Sequence, residues 1–328
     1  MERIRVIGAG PAGGAAALTA LGEGAAVEIY EKSRFPRHKV CGEFLSPQTT
    51  SLLRDLGVWP AIETEAVPMR EMLVTFGHRQ RRARLPEPAW GLSRRRLDEL
   101  LLDAARARGA AFYRERGAPG AGSQRTVVAT GRHSREPKGE RLFGFKAHFT
   151  GPSSDCVELY FFGEKSYLGV SPVEGGRVNV CGIVPESLLA RHDFEVDAML
   201  AGYGALAERL RPLHREWDWL HVGPVTFRAP GCEWEVREGE YRCGDALGFV
   251  DPFTGSGILS ALLTGTLAGR AATRGESVAA YVTGCRRRLY PAYLASQVFR
   301  DALARGWAEL FVPWIPLSWL FTLTRPRV

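Results

Sequence analysis

The sequence lacks the cysteine and histidine spacing of a metal or disulfide protein. Its six cysteines are scattered and none forms a C-x-x-C pair, so neither a zinc site nor a disulfide framework is predicted. The seven histidines show no metal-ligand spacing either. We therefore expect a protein without a metal, working in the reducing cytoplasm.

Long apolar runs are also scarce. A strand-like run begins at Ile4 with no charged leader or apolar segment before it, so no signal peptide is predicted. The segment 307–328, WAELFVPWIPLSWLFTLTRPRV, is interrupted by prolines and falls short of a membrane span. Two interpretations stay open for this tail. It is either a helix that covers the core or an interfacial segment with Arg325 and Arg327 on anionic lipid, which would give peripheral membrane contact.

Positive charge is in excess, with 43 lysines and arginines against 36 aspartates and glutamates. Arginine clusters lie at 78–84, 94–96 and 286–288. No aromatic interleaving accompanies them, so nucleic acid is not an expected partner. Solvated faces are the plain interpretation, and attraction to lipid headgroups or to a phosphorylated substrate is the alternative.

A glycine-rich turn near the start has the spacing of a dinucleotide-binding fingerprint. The apolar run Ile4–Ile7 enters Gly8-Ala9-Gly10-Pro11-Ala12-Gly13, an alanine-rich helix follows, and a second strand ends at Glu31. Gly8 permits the tight turn, Gly10 lets the backbone approach a pyrophosphate, and Gly13 lets the helix lie close to the strand. The helix N-terminus offers N–H groups to phosphates, and Glu31 accepts from ribose hydroxyls. The segment predicts a bound dinucleotide.

A second glycine-rich segment, YRCGDALGFVDPFTGSGILSAL, spans residues 241–262. A nicotinamide dehydrogenase does not need it, whereas FAD needs a later strand to hold its ribityl chain and ring. Asp245 is placed to accept from ribityl hydroxyls, and Gly255 and Gly257 let the loop pass close under the ring. The helix that begins near Ser256 points its N-terminus at the ring edge where negative charge builds on reduction. The two segments together predict FAD.

The stretch GDALGFVDPFTGSGI resembles the second FAD motif of the p-hydroxybenzoate-hydroxylase-type flavoproteins, in particular of their geranylgeranyl reductase branch. Three further stretches carry the same resemblance in the expected order. FPRHKVCGEFLSP (35–47) is similar to the branch's Lys-x-Cys-Gly segment beside the flavin. GLSRRRLDELLLDAARARGA (91–110) is similar to its helix with an FAD-contacting arginine, and YLGVSPVEGGRVNVCGIV (167–184) to a strand pair that lines its substrate cavity. The resemblance covers roughly residues 1–290.

The resemblance and the two motifs together give a set of expected site residues. Cys41 is expected near the flavin, where it orients substrate or donates a proton, and a small buried hydrophobe is its other interpretation. Tyr167, Pro172 and Asn179 are expected to line the substrate cavity. The residues expected to contact FAD are Gly8, Gly10, Pro11, Ala12, Gly13, Glu31, Lys32, Lys39, Cys41, Gly42, Arg94, Gly131, Gly244, Asp245, Pro252, Gly255, Gly257 and Ile258.

Several neighbours of these segments have plainer interpretations. Glu43 is interpreted as a salt-bridged loop acid, with a proton relay as its alternative. His38 and His133 are interpreted as ordinary surface residues. One of Arg37 and Lys39 is expected to contact the FAD phosphates.

Two further features bear on the electron donor and on the activity. Thr130-Gly131 stands where the family usually carries Asp-Gly, which leaves the electron donor open between NAD(P)H and a reduced protein carrier. Trp217-Asp218-Trp219 resembles the start of the W-x-W-x-I-P signature of flavin halogenases, but Leu220-His221-Val222 follows instead of Ile-Pro. Halogenation is therefore not predicted.

The alternation of strands and helices predicts an α/β protein with a Rossmann-type, glutathione-reductase-like FAD-binding domain and an interleaved β-rich substrate domain. The FAD-binding domain is expected at 1–65, 92–140 and 236–290, the substrate domain at 66–91 and 141–235, and an apolar helical tail at 291–328.

By resemblance, the predicted activity is an FAD-dependent reduction of a carbon–carbon double bond in a small hydrophobic substrate, isoprenoid-like or polyketide-like. The alternative enzyme is a flavin monooxygenase that hydroxylates an aromatic or polyketide substrate. A non-catalytic prenyl or lipid carrier on the same scaffold is the alternative of another class. An electron-donor protein is a further expected partner if NAD(P)H is not used directly.

Overall fold

The computed structural model describes residues 2–118, 125–132, 141–162, 165–231, 237–305 and 325–326. Within these ranges the strands form one parallel sheet and one mostly antiparallel sheet. This is the mixed α/β architecture, with a Rossmann-type sheet, that the sequence predicts. The strands are β1 (Arg3–Ile7), β2 (Ala26–Tyr30), β3 (Phe44–Leu45), β4 (Val67–Phe76), β5 (Arg79–Gly91), β6 (Ala111–Tyr113), β7 (Thr126–Val128), β8 (Leu142–Thr150), β9 (Cys156–Phe162), β10 (Ser166–Val173), β11 (Arg177–Pro185), β12 (His214–Arg215), β13 (Leu220–Val225) and β14 (Glu240–Arg242).

The helices occupy the intervals between these strands. Short 3-10 turns lie at Gly244–Ala246 and Pro252–Thr254. The α-helices are α1 (Pro11–Gly22), α2 (Pro47–Asp55), α3 (Trp59–Glu63), α4 (Arg94–Ala107), α5 (Glu186–Ala190), α6 (Val196–Ala201), α7 (Gly204–Leu210), α8 (Gly257–Arg274) and α9 (Val278–Ala304).

The parallel sheet has the order β14-β7-β1-β2-β6. Its central strand β1 pairs in parallel with β2 and β7. The apolar side chains of Ile4 and Val6 in β1 are fully buried. Helices α1, α4 and α8 cover it with a continuous apolar core. Helices α1 and α8 can approach closely because Gly265 has no side chain. A Cβ there would lie 2.1 Å from the carbonyl oxygen of Ala12. The carboxyl ends of β1 and β14 therefore carry both glycine-rich segments to one edge.

The second sheet has the order β12-β8-β11-β10-β9-β4-β5-β3, and β13 also pairs with β8. Apolar and polar residues alternate along β8 from Phe145 to Phe149, so the two faces of this strand differ. One face of β8, carrying Phe145 and Phe149, packs on helices α5 to α7. The opposite face, carrying Lys146 and His148, looks toward the parallel sheet. Strand β3 belongs to this sheet through its pairing with β5, although it lies within the predicted 1–65 segment, because two residues of extended chain suffice to add an edge strand.

No helix in the described ranges has the length and apolar character needed to cross a bilayer. The predictions for His133 and for most of the tail at 307–328 concern residues outside the described ranges; of the tail, Arg325 and Pro326 are described.

Candidate active site

One cavity of about 870 Å³ lies between the two sheets and is lined by both glycine-rich segments. Its volume is in the range of cofactor and substrate sites. Every residue predicted to contact FAD contributes to its lining except Gly13. Gly13 instead lets α1 lie close to the end of β1, since it has no side chain. A Cβ there would lie 1.8 Å from the carbonyl oxygen of Gly8. Segments that are more than two hundred residues apart in sequence thus face one space.

The first end of the cavity is built by the turn between β1 and α1. Gly8 has a φ of +105°, and a Cβ there would meet the carbonyl oxygen of Ala129 at 2.3 Å. Glu31 accepts a hydrogen bond from the N–H of Ala9 over 3.1 Å and another from the N–H of Ser33 over 2.9 Å. These bonds fix the carboxylate at the cavity rim, where a ribose would lie. The capping residue of α1, Gly10, contributes no side-chain cap, so the helix N-terminus stays open to a phosphate.

Two cations lie beside this helix N-terminus. Arg94 donates to both carboxylate oxygens of Asp98, over 2.9 and 3.0 Å, and Lys39 donates to one of them over 2.9 Å. The Arg94 and Lys39 nitrogens are each 3.5 Å from the position that a Cβ on Gly10 would take. Burial lowers the pKa of Lys39, although Asp98 opposes that shift. Asp98 holds the two cations in place, and they face the site of a pyrophosphate.

The second glycine-rich segment adjoins the first, because a Cβ on Gly244 would lie 3.0 Å from the Cβ of Ala12. The N–H of Gly244 donates to Oγ1 of Thr264 over 2.8 Å, and Arg228 donates to the carbonyl oxygen of Asp245 over 2.8 Å, so the turn is fixed from two sides. Burial raises the pKa of the Asp245 carboxyl, while Arg132 and Arg94 oppose this rise. This carboxyl lines the cavity where a polyol chain would run.

The cradle fits FAD. Gly42, Gly131 and Gly257 all line the cavity, and a Cβ on any of them would point into open space. Side chains at these positions would fill volume that a flat ring and its ribityl chain need. The carboxylate for the adenosine ribose, the cations for the pyrophosphate and this glycine-lined space for the ring all line one cavity, and FAD joins these three groups in that order. When bound, FAD supplies the electron-transfer chemistry that the side chains here do not have.

Five aromatic rings line one part of the cavity. Phe161 stacks on Phe76 at 4.7 Å between ring centroids and with an interplanar angle of 3°. Phe253 lies edge-on to Phe161 at 6.0 Å, and Phe299 at 5.5 Å. Tyr167 completes the group at 6.1 Å from Phe161. These five rings, which we call the aromatic wall, form an apolar surface suited to a hydrophobic ring or chain.

A buried polar group stands behind the aromatic wall. The O–H of Tyr167 donates to Asp251 over 3.1 Å, and Arg300 forms an ion pair with the same carboxylate. Burial raises the pKa of Asp251, with Arg300 opposing the rise. Burial also raises the pKa of Tyr167 well above its usual value, and Asp251 adds to the effect. Tyr167 therefore stays protonated and keeps a fixed orientation.

Cys41 lines the cavity from the loop before β3. Asn179 donates to the carbonyl oxygen of Cys41 over 3.2 Å, and Ser171 donates to that of Gly42 over 3.4 Å, so the second sheet holds the loop. The Arg94 guanidinium contacts the Cys41 thiol. Burial alone would lower the pKa of Arg94, but Asp98 and Cys41 together raise it. The thiol thus faces both a cation and the cavity.

Glu43, two residues further on, is fully buried and forms the centre of a polar cluster. It forms an ion pair with Lys146 and a 2.7 Å hydrogen bond with Nε2 of His148, both on β8. Burial alone raises the pKa of a carboxyl, but Lys146 and His148 outweigh it and lower the pKa of Glu43. The salt-bridged acid predicted from sequence is therefore part of the interior rather than of a surface loop.

His38 differs from its interpretation as an ordinary surface residue. Its ring is half-buried and lies 5.0 Å from the His148 ring and 5.1 Å from Trp217. Burial and the positive charge of Lys146 lower its pKa to about 4. Ligand atoms of His38, Glu43 and His148 lie within 4.8 Å of one another, as a divalent cation requires. Lys146 already neutralises Glu43, so the cluster is balanced without a metal.

Two of the three residues predicted to line the substrate cavity do not contribute to its lining. Tyr167 does, as part of the aromatic wall. Pro172 is absent from the lining, although Val170 and Ser171 of the same strand belong to it. Asn179 faces the same side as Tyr167, but it lies beneath Cys41 and bonds to its carbonyl oxygen.

Sequence reasoning missed the partners of these residues. Lys146 and His148 lie two apart on an apolar strand, and two polar side chains on one face of such a strand are a signal of a buried polar cluster. Asp251 and Arg300 are 49 residues apart, and no local pattern links them. The aromatic wall likewise draws on β4, β9, β10, a 3-10 turn and α9.

Residues 2–142 match the family model of the FAD binding domain. A menaquinone reductase of Mycolicibacterium smegmatis is 42% identical over 59 residues, which is 18% of this chain and 14% of that protein.

Among solved structures, the flavin-dependent brominase Bmp2 has a TM-score of 0.81 at 18% identity, covering 97% of this chain and 92% of the other. PqsL, a probable FAD-dependent monooxygenase from Pseudomonas aeruginosa, has a TM-score of 0.71 at 15% identity, covering 95% and 99%. These similarities show a shared fold.

The FAD binding domain match covers β1, α1 and α4, the elements that build the dinucleotide end of the cavity. The same cavity continues to a second FAD segment and to an aromatic wall. Residues 2–142 therefore carry an FAD binding domain, and FAD is the cofactor that this cavity fits.

Proposed function

We propose that this protein is an FAD-dependent monooxygenase that hydroxylates a hydrophobic aromatic substrate. The observation that carries the proposal is the aromatic wall, which lines the same cavity as the two FAD segments. Aromatic rings bind such walls through stacked and edge-to-face contacts, and five rings supply both geometries. A substrate ring held there lies in the same enclosed space as the cofactor.

Hydroxylation places one oxygen atom of dioxygen into a ring C–H bond and releases the other as water, with two electrons and two protons from outside. Bound FAD supplies the activation of dioxygen. The chain's own residues orient the substrate and exclude water, which removes much of the entropic part of the barrier. Burial keeps Tyr167 protonated, and its O–H donates to Asp251, so its ring keeps a fixed orientation in the aromatic wall.

The structural neighbours support oxygenation over reduction. PqsL is named a probable FAD-dependent monooxygenase and shares the fold over 95% of this chain. The brominase Bmp2 shows that a flavin on this fold also serves halogenation, which the incomplete Trp217-Asp218-Trp219 motif does not favour here.

A second candidate is the reduction of a carbon–carbon double bond, as the resemblance to the geranylgeranyl reductase branch implies. The local similarity to a menaquinone reductase favours it, as does the position of Cys41 on the cavity. In this reaction, a hydride from reduced FAD and a proton from Cys41 or a bound water would add across the double bond. The Arg94 guanidinium beside the thiol would hold the resulting thiolate until it is reprotonated.

A single-turnover experiment separates these reactions. The protein is reduced with one equivalent of dithionite under argon, mixed with a long-chain alkylphenol or with geranylgeraniol, and exposed to isotopically labelled dioxygen with bromide present. We expect the alkylphenol to gain one labelled oxygen atom, and no product in a sample kept under argon. Geranylgeraniol gaining two hydrogen atoms under argon would replace the proposal with the reductase. A brominated phenol would replace it with halogenation.

We also propose that the two sheets mark the FAD-binding domain and the substrate domain at the boundaries predicted above, with β3 transferred to the substrate domain. The division is supported by the cavity lining, which includes residues from both sheets. The use of NAD(P)H or of a donor protein as the source of electrons stays a prediction. So does peripheral membrane contact through the tail.

A further inference from the structure

Two cysteines, Cys41 and Cys181, line the cavity from segments that lie against each other. Asn179 of β11 donates to the carbonyl oxygen of Cys41 over 3.2 Å. Cys181 lies two residues further along β11, so its side chain is on the same face of the strand as that of Asn179. The loop that carries Cys41 therefore rests beside Cys181. Both residues are half-buried, and both thiols are free.

The surroundings of Cys181 leave its sulfur open to the cavity and close to Cys41. Cys181 is paired across the sheet with Gly169 of β10, which also lines the cavity and has no side chain to cover the sulfur. Burial raises the pKa of the Cys181 thiol, the charge of Cys41 adds to the rise, and the backbone N–H of Cys41 opposes it. A backbone N–H acts on a thiol only at close range, so the sulfur of Cys181 and the loop at Cys41 are neighbours.

The two thiols have different polar surroundings. The Arg94 guanidinium contacts the Cys41 thiol, and the N–H of Glu43 donates to the same sulfur over 3.4 Å. A cation and an N–H donor are the partners that hold a thiolate. Cys181 instead stays protonated, because burial raises its pKa. A thiolate beside a protonated thiol is the pair from which a disulfide forms by loss of two electrons and one proton.

The other cysteines in the described ranges do not share this arrangement. Cys243 also belongs to the cavity lining, but it is fully buried and its thiol faces the carbonyl oxygen of Val128 at 3.9 Å. Cys156 and Cys285 are buried and lie outside the lining.

We propose that Cys41 and Cys181 form a redox-active dithiol that exchanges two electrons with bound FAD. In this exchange the S–H bond of Cys181 breaks, and an S–S bond forms between its sulfur and the Cys41 thiolate. Two electrons and the released proton pass to FAD, which takes over the one negative charge that the thiolate carried. The reverse transfer restores the dithiol. Transient disulfides of this kind occur in reducing compartments as well. The inference rests on FAD binding alone and holds for hydroxylation and for double-bond reduction.

A dithiol in solution then becomes a source of electrons for FAD. It reduces the Cys41–Cys181 disulfide by thiol–disulfide exchange and is itself oxidised to a disulfide. The regenerated pair passes its two electrons to FAD. Dithiols are thus the class of donor that this arrangement adds to NAD(P)H and a reduced protein carrier.

The number of electrons that the protein takes up tests the exchange. Air-oxidised, FAD-loaded protein is titrated with dithionite under argon. We expect the wild type to consume two equivalents per FAD, one for FAD and one for the disulfide, and Cys41→Ser and Cys181→Ser to consume one. Cys156→Ser is the matched control, because it removes a buried thiol outside the cavity lining, and it is expected to consume two.

Two equivalents in the wild type and one in either serine variant support the proposal. Equal consumption by the wild type and both serine variants overturns it. If one serine variant does not fold or retain FAD, the other decides. Alkylation of the denatured, air-oxidised wild type, followed by mass spectrometry, is expected to find Cys41 and Cys181 joined and Cys156 alkylated. Alkylation of Cys41 and Cys181 there would overturn the proposal.

Dithiothreitol under argon tests the dithiol as a donor. It is expected to bleach the absorbance of FAD in the wild type and in Cys156→Ser faster than in Cys41→Ser and Cys181→Ser. Equal rates in all four proteins would show that dithiothreitol reduces FAD directly and would overturn this part of the proposal.

Discussion

The backbone N–H of Arg94 donates a 2.6 Å hydrogen bond to the carboxylate of Glu43. Arg94 is the first residue of α4, so the carboxylate stabilises a helix N-terminus. The same carboxylate holds Lys146 and His148 of the second sheet. Glu174, from the end of β10, binds the N–H of Ser93 at the same helix end over 2.7 Å. Two acids thus tie the helix of the dinucleotide site to the sheet beneath the substrate cavity.

Glu43→Gln is expected to destabilise the protein strongly. The substitution leaves the Lys146 ammonium fully buried beside a neutral amide, and a broken buried ion pair costs about 3–5 kcal/mol. The free energy of unfolding is measured by urea denaturation. Glu71→Gln is the control, since Glu71 pairs with Arg82 on the surface and the loss there is expected to stay within about 1 kcal/mol.

The double variant Glu43→Gln/Lys146→Met checks the cause. Removing both charges leaves no uncompensated ion, so part of the lost stability is expected to return. A double variant at least as unstable as Glu43→Gln would show that the pair's charge is not what matters.

Gly42→Ala and Gly257→Ala are expected to weaken FAD binding without weakening the fold. A Cβ at either position meets nothing within 4 Å in the protein, yet both positions line the cavity. The added methyl group therefore competes with the cofactor, and we expect about a tenfold higher dissociation constant of FAD, or about 1.4 kcal/mol. Fluorescence titration measures it, alongside urea denaturation of the FAD-free protein.

Gly284→Ala is the matched control for these glycines. Gly284 lies inside α9, and a Cβ there is also free of contacts, but the residue is not part of the cavity lining. Its substitution is expected to stabilise the helix by about 0.5–1 kcal/mol and to leave FAD affinity unchanged. FAD affinities alike in all three variants would contradict the assignment of the cradle.

Local sequence signals were enough to predict the dinucleotide end. The turn at Gly8, Gly10 and Gly13 and the acid at Glu31 lie within one strand–helix–strand unit, so their spacing alone constrains them. The second segment around Asp245 was predictable for a related reason. Parallel strands end at a common edge of their sheet, and β14 and β1 are separated only by β7.

Long-range contacts were not predictable in the same way. Glu43 and Lys146 are 103 residues apart, and nothing in the 35–47 segment shows that the acid turns inward. Its backbone has a φ of +54°, a left-handed conformation that a sequence does not signal for glutamate. Nor does the sequence show which residues of β10 reach the cavity, since Val170 lines it and Pro172 does not.

Phe161→Leu is expected to weaken substrate binding about tenfold, while Phe162→Leu leaves it unchanged. The two residues are neighbours in β9 and are similarly buried, at 6% and 7% exposure. Phe161 belongs to the aromatic wall, whereas Phe162 faces the helical side and packs on Tyr203 at 4.5 Å. Loss of one ring face from a substrate pocket costs about 1–3 kcal/mol. Titration of bound FAD absorbance with a long-chain alkylphenol measures the affinity, and equal losses in both variants would argue against the wall as the binding surface.

His38 is expected to make stability fall as the solution becomes acidic. The unfolded chain protonates this imidazole near pH 6.5, but burial and Lys146 lower its pKa to about 4 in the folded protein. Between these values the unfolded state binds more protons, so the free energy of unfolding decreases as pH falls from 6.5 toward 4. Urea denaturation at several pH values measures the slope, and His38→Gln is expected to make it shallower.

His78→Gln serves as the control for this slope, because His78 is exposed in the turn between β4 and β5. It removes a histidine of the same type from a position where folding does not change its surroundings. The slope is expected to match that of the wild type. If His38→Gln also retained the full wild-type slope, the acid sensitivity would belong to other groups, and the half-buried position of His38 between His148 and Trp217 would carry no energetic weight in this pH range.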